Sequence, residues 1–106
     1  MNKDLQRNIN EWCINSYKDA AEEFKQDAHK YDCKRLRTCT AWVYETTHFY
    51  ILRSYLSFFV AIIRKDNRQC YDLLRYVHGY TSTSAQHIAK FCSDYGDRSI
   101  PNYTYR

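Results

Sequence analysis

Residues 3–31 constrain the fold more than any other part of the chain. Leu5, Ile9, Trp12, Cys13, Tyr17, Ala20, Phe24, Ala28 and Tyr31 recur at three- and four-residue steps, with no Gly or Pro between them. On a helix these positions form one apolar stripe, while Glu22, Glu23, Lys25 and Gln26 fall mostly on other faces. A helix with a single stripe must bury it against another layer, so the rest of the chain has to supply an apolar surface. Trp12 and Phe24 of the stripe are expected to lie in that contact. A chain of 106 residues allows one core, read here as a single domain over 1–96.

Residues 36–76 are dense in β-branched and aromatic side chains, among them Thr38, Thr40, Val43, Thr46, Thr47, Phe49, Tyr50, Ile51, Tyr55, Phe58, Phe59, Val60, Ile62 and Ile63. Such side chains suit a pleated, half-buried surface. Phe49, Leu52, Leu56, Phe59 and Ile63 also stand at helical spacing, so an all-α alternative stays open. Punctuation favours strands. Lys65-Asp66-Asn67-Arg68 is a polar break between two apolar runs and reads as a hairpin tip. The expectation is an α+β fold: a long N-terminal helix, a three- to four-stranded antiparallel meander near 38–44, 48–54, 57–64 and 69–76, and a short C-terminal helix. One face of the sheet would lie under the helices. Thr83-Ser84-Ala85-Gln86 fits a capping box that opens a helix over 84–95, and Gly96 suits a left-handed C-terminal residue. The tail, 97–106, contains Pro101 and is expected to be loosely held.

Several classes are improbable on composition. The longest unbroken apolar run, 58–63, is far short of the roughly 20 residues a membrane helix needs, so no membrane role is expected. An aromatic content of 17% argues against long disorder, because disordered chains lack apolar surface to offset ordering entropy. The start, Met1-Asn2-Lys3-Asp4-Leu5-Gln6-Arg7, has no apolar core of a secretory leader. Cys13, Cys33, Cys39, Cys70 and Cys92 make an odd count, read as reduced thiols in a cytoplasmic protein. On that reading the sequon Asn102-Tyr103-Thr104 is incidental.

A sequence resemblance covers residues 47–95. The residues are Ser54-Tyr55, then Val60-Ala61-Ile62-Ile63, then Tyr71, then Gly79-Tyr80-Thr81-Ser82-Thr83-Ser84-Ala85-Gln86-His87-Ile88-Ala89-Lys90-Phe91. This stretch resembles small proteins of phages and bacterial mobile elements, in which a strand pair precedes a helix with a tyrosine, a Ser/Thr run and His-Ile-x-x-Phe. The resemblance implies an α+β fold. Its genomic context implies action in a bacterial host cell, where many such small proteins block host defence, anti-CRISPR inhibitors among them. The long N-terminal helix is a departure from that group.

Catalytic and metal chemistry find little support. His29, Cys33 and Cys39 are spaced H-x₃-C-x₅-C, without the tight cysteine pair of a structural zinc site, so neither metal nor cofactor is expected. Ser84 and His87 stand three apart on a predicted helix, but no G-x-S-x-G elbow accompanies them. Their bland role is to fill the seam between helix and sheet. Two glycines are too few for a phosphate cradle.

Binding surfaces are more promising. Residues 1–32 hold five basic and seven acidic side chains, and residues 33–106 hold eleven and five. The excess positive charge therefore lies on the second part, net +6 against −2. Lys34, Arg35 and Arg37 form one cluster; Arg64, Lys65 and Arg68 form another at the predicted hairpin tip. Arg53 and Arg75 are expected on the same sheet, interleaved with tyrosines such as Tyr44, Tyr50, Tyr55 and Tyr71. Arg with Tyr suits phosphates and bases, and equally a protein interface. The chain is thus expected to be non-enzymatic: an inhibitor bound to a host nuclease or ribonucleoprotein, or alternatively an accessory protein that binds DNA or RNA.

Overall fold

The computed structural model describes residues 3–27, 30, 33–36, 41–54, 59–77 and 81–106. Helix α1 spans Lys3–Asp27, as its unbroken stripe dictates. Strands β1 (Lys34–Arg35), β2 (Ala41–Glu45), β3 (Phe49–Ser54), β4 (Phe59–Arg64) and β5 (Cys70–Asp72) follow. Then come α2 (Leu74–Val77), α3 (Ser82–Tyr95) and β6 (Tyr103–Thr104). The fold is α+β, and the regions that carried helical spacing, 49–54 and 59–64, are strands.

The six strands lie side by side in chain order, β1 to β6. Pairing is antiparallel from β1 through β5, whereas β6 runs parallel to β5, so the sheet is mixed rather than a three- to four-stranded antiparallel meander. The predicted 57–64 and 69–76 pair is a real hairpin, shorter at its far end because the chain turns into α2 after Asp72. At its tip Asn67 Oδ1 accepts from the Gln69 amide at 2.9 Å, and Arg68 takes the left-handed conformation at φ 60°.

The sheet is covered on both faces, not one. Ala41, Val43, Leu52, Ala61, Ile63 and Cys70 pack with Ile88, Phe91 and Cys92 of α3. Phe49, Ile51, Ile62 and Tyr71 pack with Ile9, Cys13 and Ala20 of α1. Successive strand residues point to opposite faces, so the adjacent pairs Ile51-Leu52 and Ile62-Ile63 each feed both layers. All four of those side chains are fully buried.

Four further expectations are corrected. The 97–106 tail is docked: Tyr103 and Tyr105, two apart and so on one strand face, join the α1-side cluster. Gln6 and Asn10 of α1 bond the carbonyls of Thr104 and Arg106 at 3.0 and 2.9 Å. Trp12 is 41% exposed, with its ring 5.2 Å from that of Tyr103 at the rim of the sheet; Phe24 is half-buried. The α3 N-cap is Thr81, not Thr83, and its hydroxyl accepts from the Ser84 amide at 3.3 Å. Gly96 ends α3 in an extended conformation; it is needed because a Cβ there would lie 2.8 Å from the Cys92 carbonyl oxygen.

The cysteines are not all free. Cys70 on β5 and Cys92 on the apolar stripe of α3 form a disulfide, brought together when α3 packs on the sheet. Cys13 is buried and free, Cys33 is exposed and free, and Cys39 lies outside the described residues. The odd count therefore does not imply a fully reduced protein. Among the described residues no helix is long and apolar enough to cross a membrane.

Candidate binding surface

Helix α1 packs chiefly on β4, β5 and β6, and it reaches β2 through Phe24 on Tyr44. The register there places Arg35 opposite Trp42, and Trp42 opposite Arg53. Directly opposed residues share a face, so a cross-strand row forms: Arg35, Trp42, Arg53. The Arg35 and Arg53 guanidinium carbons lie 5.9 and 5.4 Å from the Trp42 ring centroid. Arg53 is also 5.5 Å from the Tyr44 ring. These are cation–π distances. Beside this row the β3–β4 register shifts by one residue, with Val60 of β4 left over between the Leu52–Ala61 and Arg53–Phe59 pairs.

Neither Arg35 nor Arg53 has a carboxylate partner among the described residues. The Arg53 Nε is buried without a hydrogen-bond acceptor. Tyr44 closes the inner end of the row: Phe24 and Phe59 pack edge-on against it at 5.3 and 5.8 Å. Burial is the main cause that pushes the Tyr44 hydroxyl pKa up; nearby Arg53 opposes it.

The predicted hairpin-tip cluster is not one patch. Phe49 and Tyr50 are neighbours on β3 and point to opposite faces, and the tip cations divide between them. Arg64 lies 5.8 Å from the Phe49 ring and pairs with Asp66 at 3.4 Å. Lys65 and Arg68 lie over Tyr50 at 5.0 and 5.9 Å. Lys65 also pairs with Glu45 at 2.6 Å, and Arg68 donates to the Tyr95 carbonyl at 3.0 Å. These three charges are engaged within the fold.

The remaining sequence candidates scatter. Lys34 is exposed on β1, one residue from Arg35 and so on the opposite face. Arg75 is exposed on α2 and acts on Asp72. Tyr71 is buried under α1 and belongs to the core. Arg37 and Tyr55 lie outside the described residues, as do His29 and Cys39 of the H-x₃-C-x₅-C spacing. Trp42 was not among the candidates read from sequence. Its signal, an aromatic between two strands that each carry Arg, depends on register and cannot be counted along the chain.

Two other features bear on chemistry. Ser54 Oγ lies 2.9 Å from Ser84 Oγ and 2.8 Å from His87 Nδ1. Ser84 and His87 are thus joined through a β3 hydroxyl. All three are buried, and burial lowers the His87 pKa, so the chain of bonds fastens α3 to the sheet. A concavity of about 360 Å³ lies beside Asp19, Glu22, Glu23, Asp66, Arg64 and His48. Within it Glu23 accepts from the His48 amide and contacts its Nδ1 at 2.8 Å. Among the described residues no group of three or more His, Cys, Asp or Glu side chains could hold a metal ion.

Comparison with protein-family models, with curated proteins and with solved structures finds no match to this chain.

Proposed function

We propose that this protein acts without catalysis, by stoichiometric binding of a macromolecule through the Arg35–Trp42–Arg53 face. In the reading that the phage-type motif of residues 47–95 favours, the partner is a host defence nuclease or ribonucleoprotein, which the protein blocks inside the bacterial cell as anti-CRISPR proteins do. The observation that carries the binding proposal is the pair of guanidiniums held on aromatic rings with no carboxylate partner among the described residues. The cation–π contacts hold their position and leave charge to be neutralised by a partner. The same pair favours a second reading, a mobile-element accessory protein that binds DNA or RNA directly.

The test is phage plaquing on bacteria that carry one active defence nuclease each, with and without this protein. Wild type should restore plaquing against at least one nuclease, and a double Arg35→Glu, Arg53→Glu variant should not. Unchanged plaquing across the panel, from a protein that accumulates folded, counts against the inhibitor reading.

A further inference from the structure

The geometry points to a narrower partner chemistry for this face: it grips the phosphodiester backbone of a nucleic-acid strand, without reading bases. The inference rests on the binding role proposed above for the Arg35–Trp42–Arg53 row.

Single-strand binders of the stacking kind need an aromatic ring with an open face for a base. In this row each described ring already carries a cation at cation–π distance. Strand β2 lies between β1 and β3, so Arg35 and Arg53 approach the Trp42 indole from opposite flanks. The Tyr44 ring meets Phe24, Phe59 and Arg53. The aromatic rings are thus occupied as platforms for cations.

What the row offers instead is donors. A guanidinium carries its N–H groups in its own plane, arranged as a fork that matches phosphate oxygens. Each guanidinium carbon lies within 6 Å of the same indole centroid. Two forks are therefore fixed on one surface no more than about 11 Å apart, the largest separation those two distances allow. A lone carboxylate of a protein partner would satisfy one fork. A phosphodiester strand repeats its anion and can satisfy both.

Charge around the row agrees. The nearest described carboxylate along the strands, Glu45, points to the other face and is taken by Lys65. The acidic side chains of α1, Asp19, Glu22 and Glu23, gather at the concavity beside His48 and Arg64, at the hairpin end of the sheet. A strand laid over β1–β3 would meet cations first.

The experiment is fluorescence anisotropy of the full chain with a labelled oligodeoxythymidine, titrated at several salt concentrations. Its controls are an oligodeoxyadenosine, an uncharged methylphosphonate oligonucleotide and polyglutamate. The two homopolymers should bind alike, and the methylphosphonate should not bind. Each of Arg35→Gln and Arg53→Gln should flatten the slope of log affinity against log salt by about 0.7, the share of one single-strand phosphate. Arg35 is exposed on an edge strand, so Arg35→Gln keeps the test independent of folding. Arg35→Lys should restore the slope, because counterion release needs only charge, while affinity stays below wild type.

Binding of the methylphosphonate, a strong preference for one base, or slopes unchanged in both Gln variants would overturn the inference. So would binding of polyglutamate with none of the oligonucleotides. Failure here and failure of the inhibitor role are separable. Plaquing restored by a protein that binds no oligonucleotide removes the phosphate inference alone. Oligonucleotide binding without any effect on plaquing removes the inhibitor role alone.

Discussion

Ile62 and Ile63 provide the sharpest test of the architecture. They are consecutive on β4 and both 0% exposed, yet they belong to different layers: Ile62 packs toward α1 and Ile63 toward α3. A sheet covered on one side would leave one of the two tolerant of truncation. Ile→Ala removes three buried carbon groups, worth about 0.8 kcal/mol each by transfer. That is roughly 2.4 kcal/mol before any cavity, and core Ile→Ala changes cost about 2–5 kcal/mol in total. Each substitution should therefore cost at least about 2 kcal/mol, a large share of the 5–15 kcal/mol typical of a domain. Urea denaturation followed by circular dichroism reads both values. If either single variant costs less than about 0.5 kcal/mol, one of the two helices does not cover the sheet and the three-layer arrangement is wrong.

Two further outcomes follow from particular residues. The Cys70–Cys92 bond closes a loop of 22 residues, and the chain-entropy estimate for that length is about 3 kcal/mol. A reductant should lower the unfolding midpoint accordingly, and thiol counting in denaturant without reductant should find three thiols, not five; a count of five refutes the pairing. His87 is buried and its pKa is lowered from 6.5 by burial, so the unfolded chain binds its proton first as pH falls. Its contribution is intact above pH 6.5 and is lost as pH falls from there toward the lower folded value. His87→Gln should flatten the stability profile over that window, and a profile the same in both proteins refutes the assignment.

The parts of the fold that were legible in the sequence are those fixed by local chemistry. The unbroken stripe of α1, the polar break at 65–68 and the Thr-Ser run that opens α3 each act within a few residues. The parts that were not legible depend on which layers meet. Ile62-Ile63 reads as one apolar run, and only the presence of helices on both sides shows that each residue serves a different core. Membership of the α1 stripe did not bury Trp12, because its stretch of helix meets the sheet at the rim, beside Tyr103. The tail looked loose because its anchor is short: two strand residues, their neighbouring tyrosine and two side chains of α1. For the binding face, sequence reading placed Arg35 and Arg53 among the candidates but also joined Arg64 to Lys65 and Arg68. Adjacent numbers suggested a cluster that the pleat divides.

Arg53 is a poor choice for stability alone. Its Nε is buried with no acceptor, and an unsatisfied buried donor costs about 1–3 kcal/mol. Its two ring contacts return about 0.5–1 kcal/mol each at a partly exposed site. The sum is near zero or unfavourable. Leucine or methionine at the same half-buried position would pack on Trp42 and Tyr44 with no donor to satisfy. An arginine there, between two rings and with no carboxylate partner among the described residues, makes physical sense when its remaining donors meet an anion from outside the chain. The hairpin cations show the contrast: Arg64, Lys65 and Arg68 each have an acceptor within the fold, and internal electrostatics account for them.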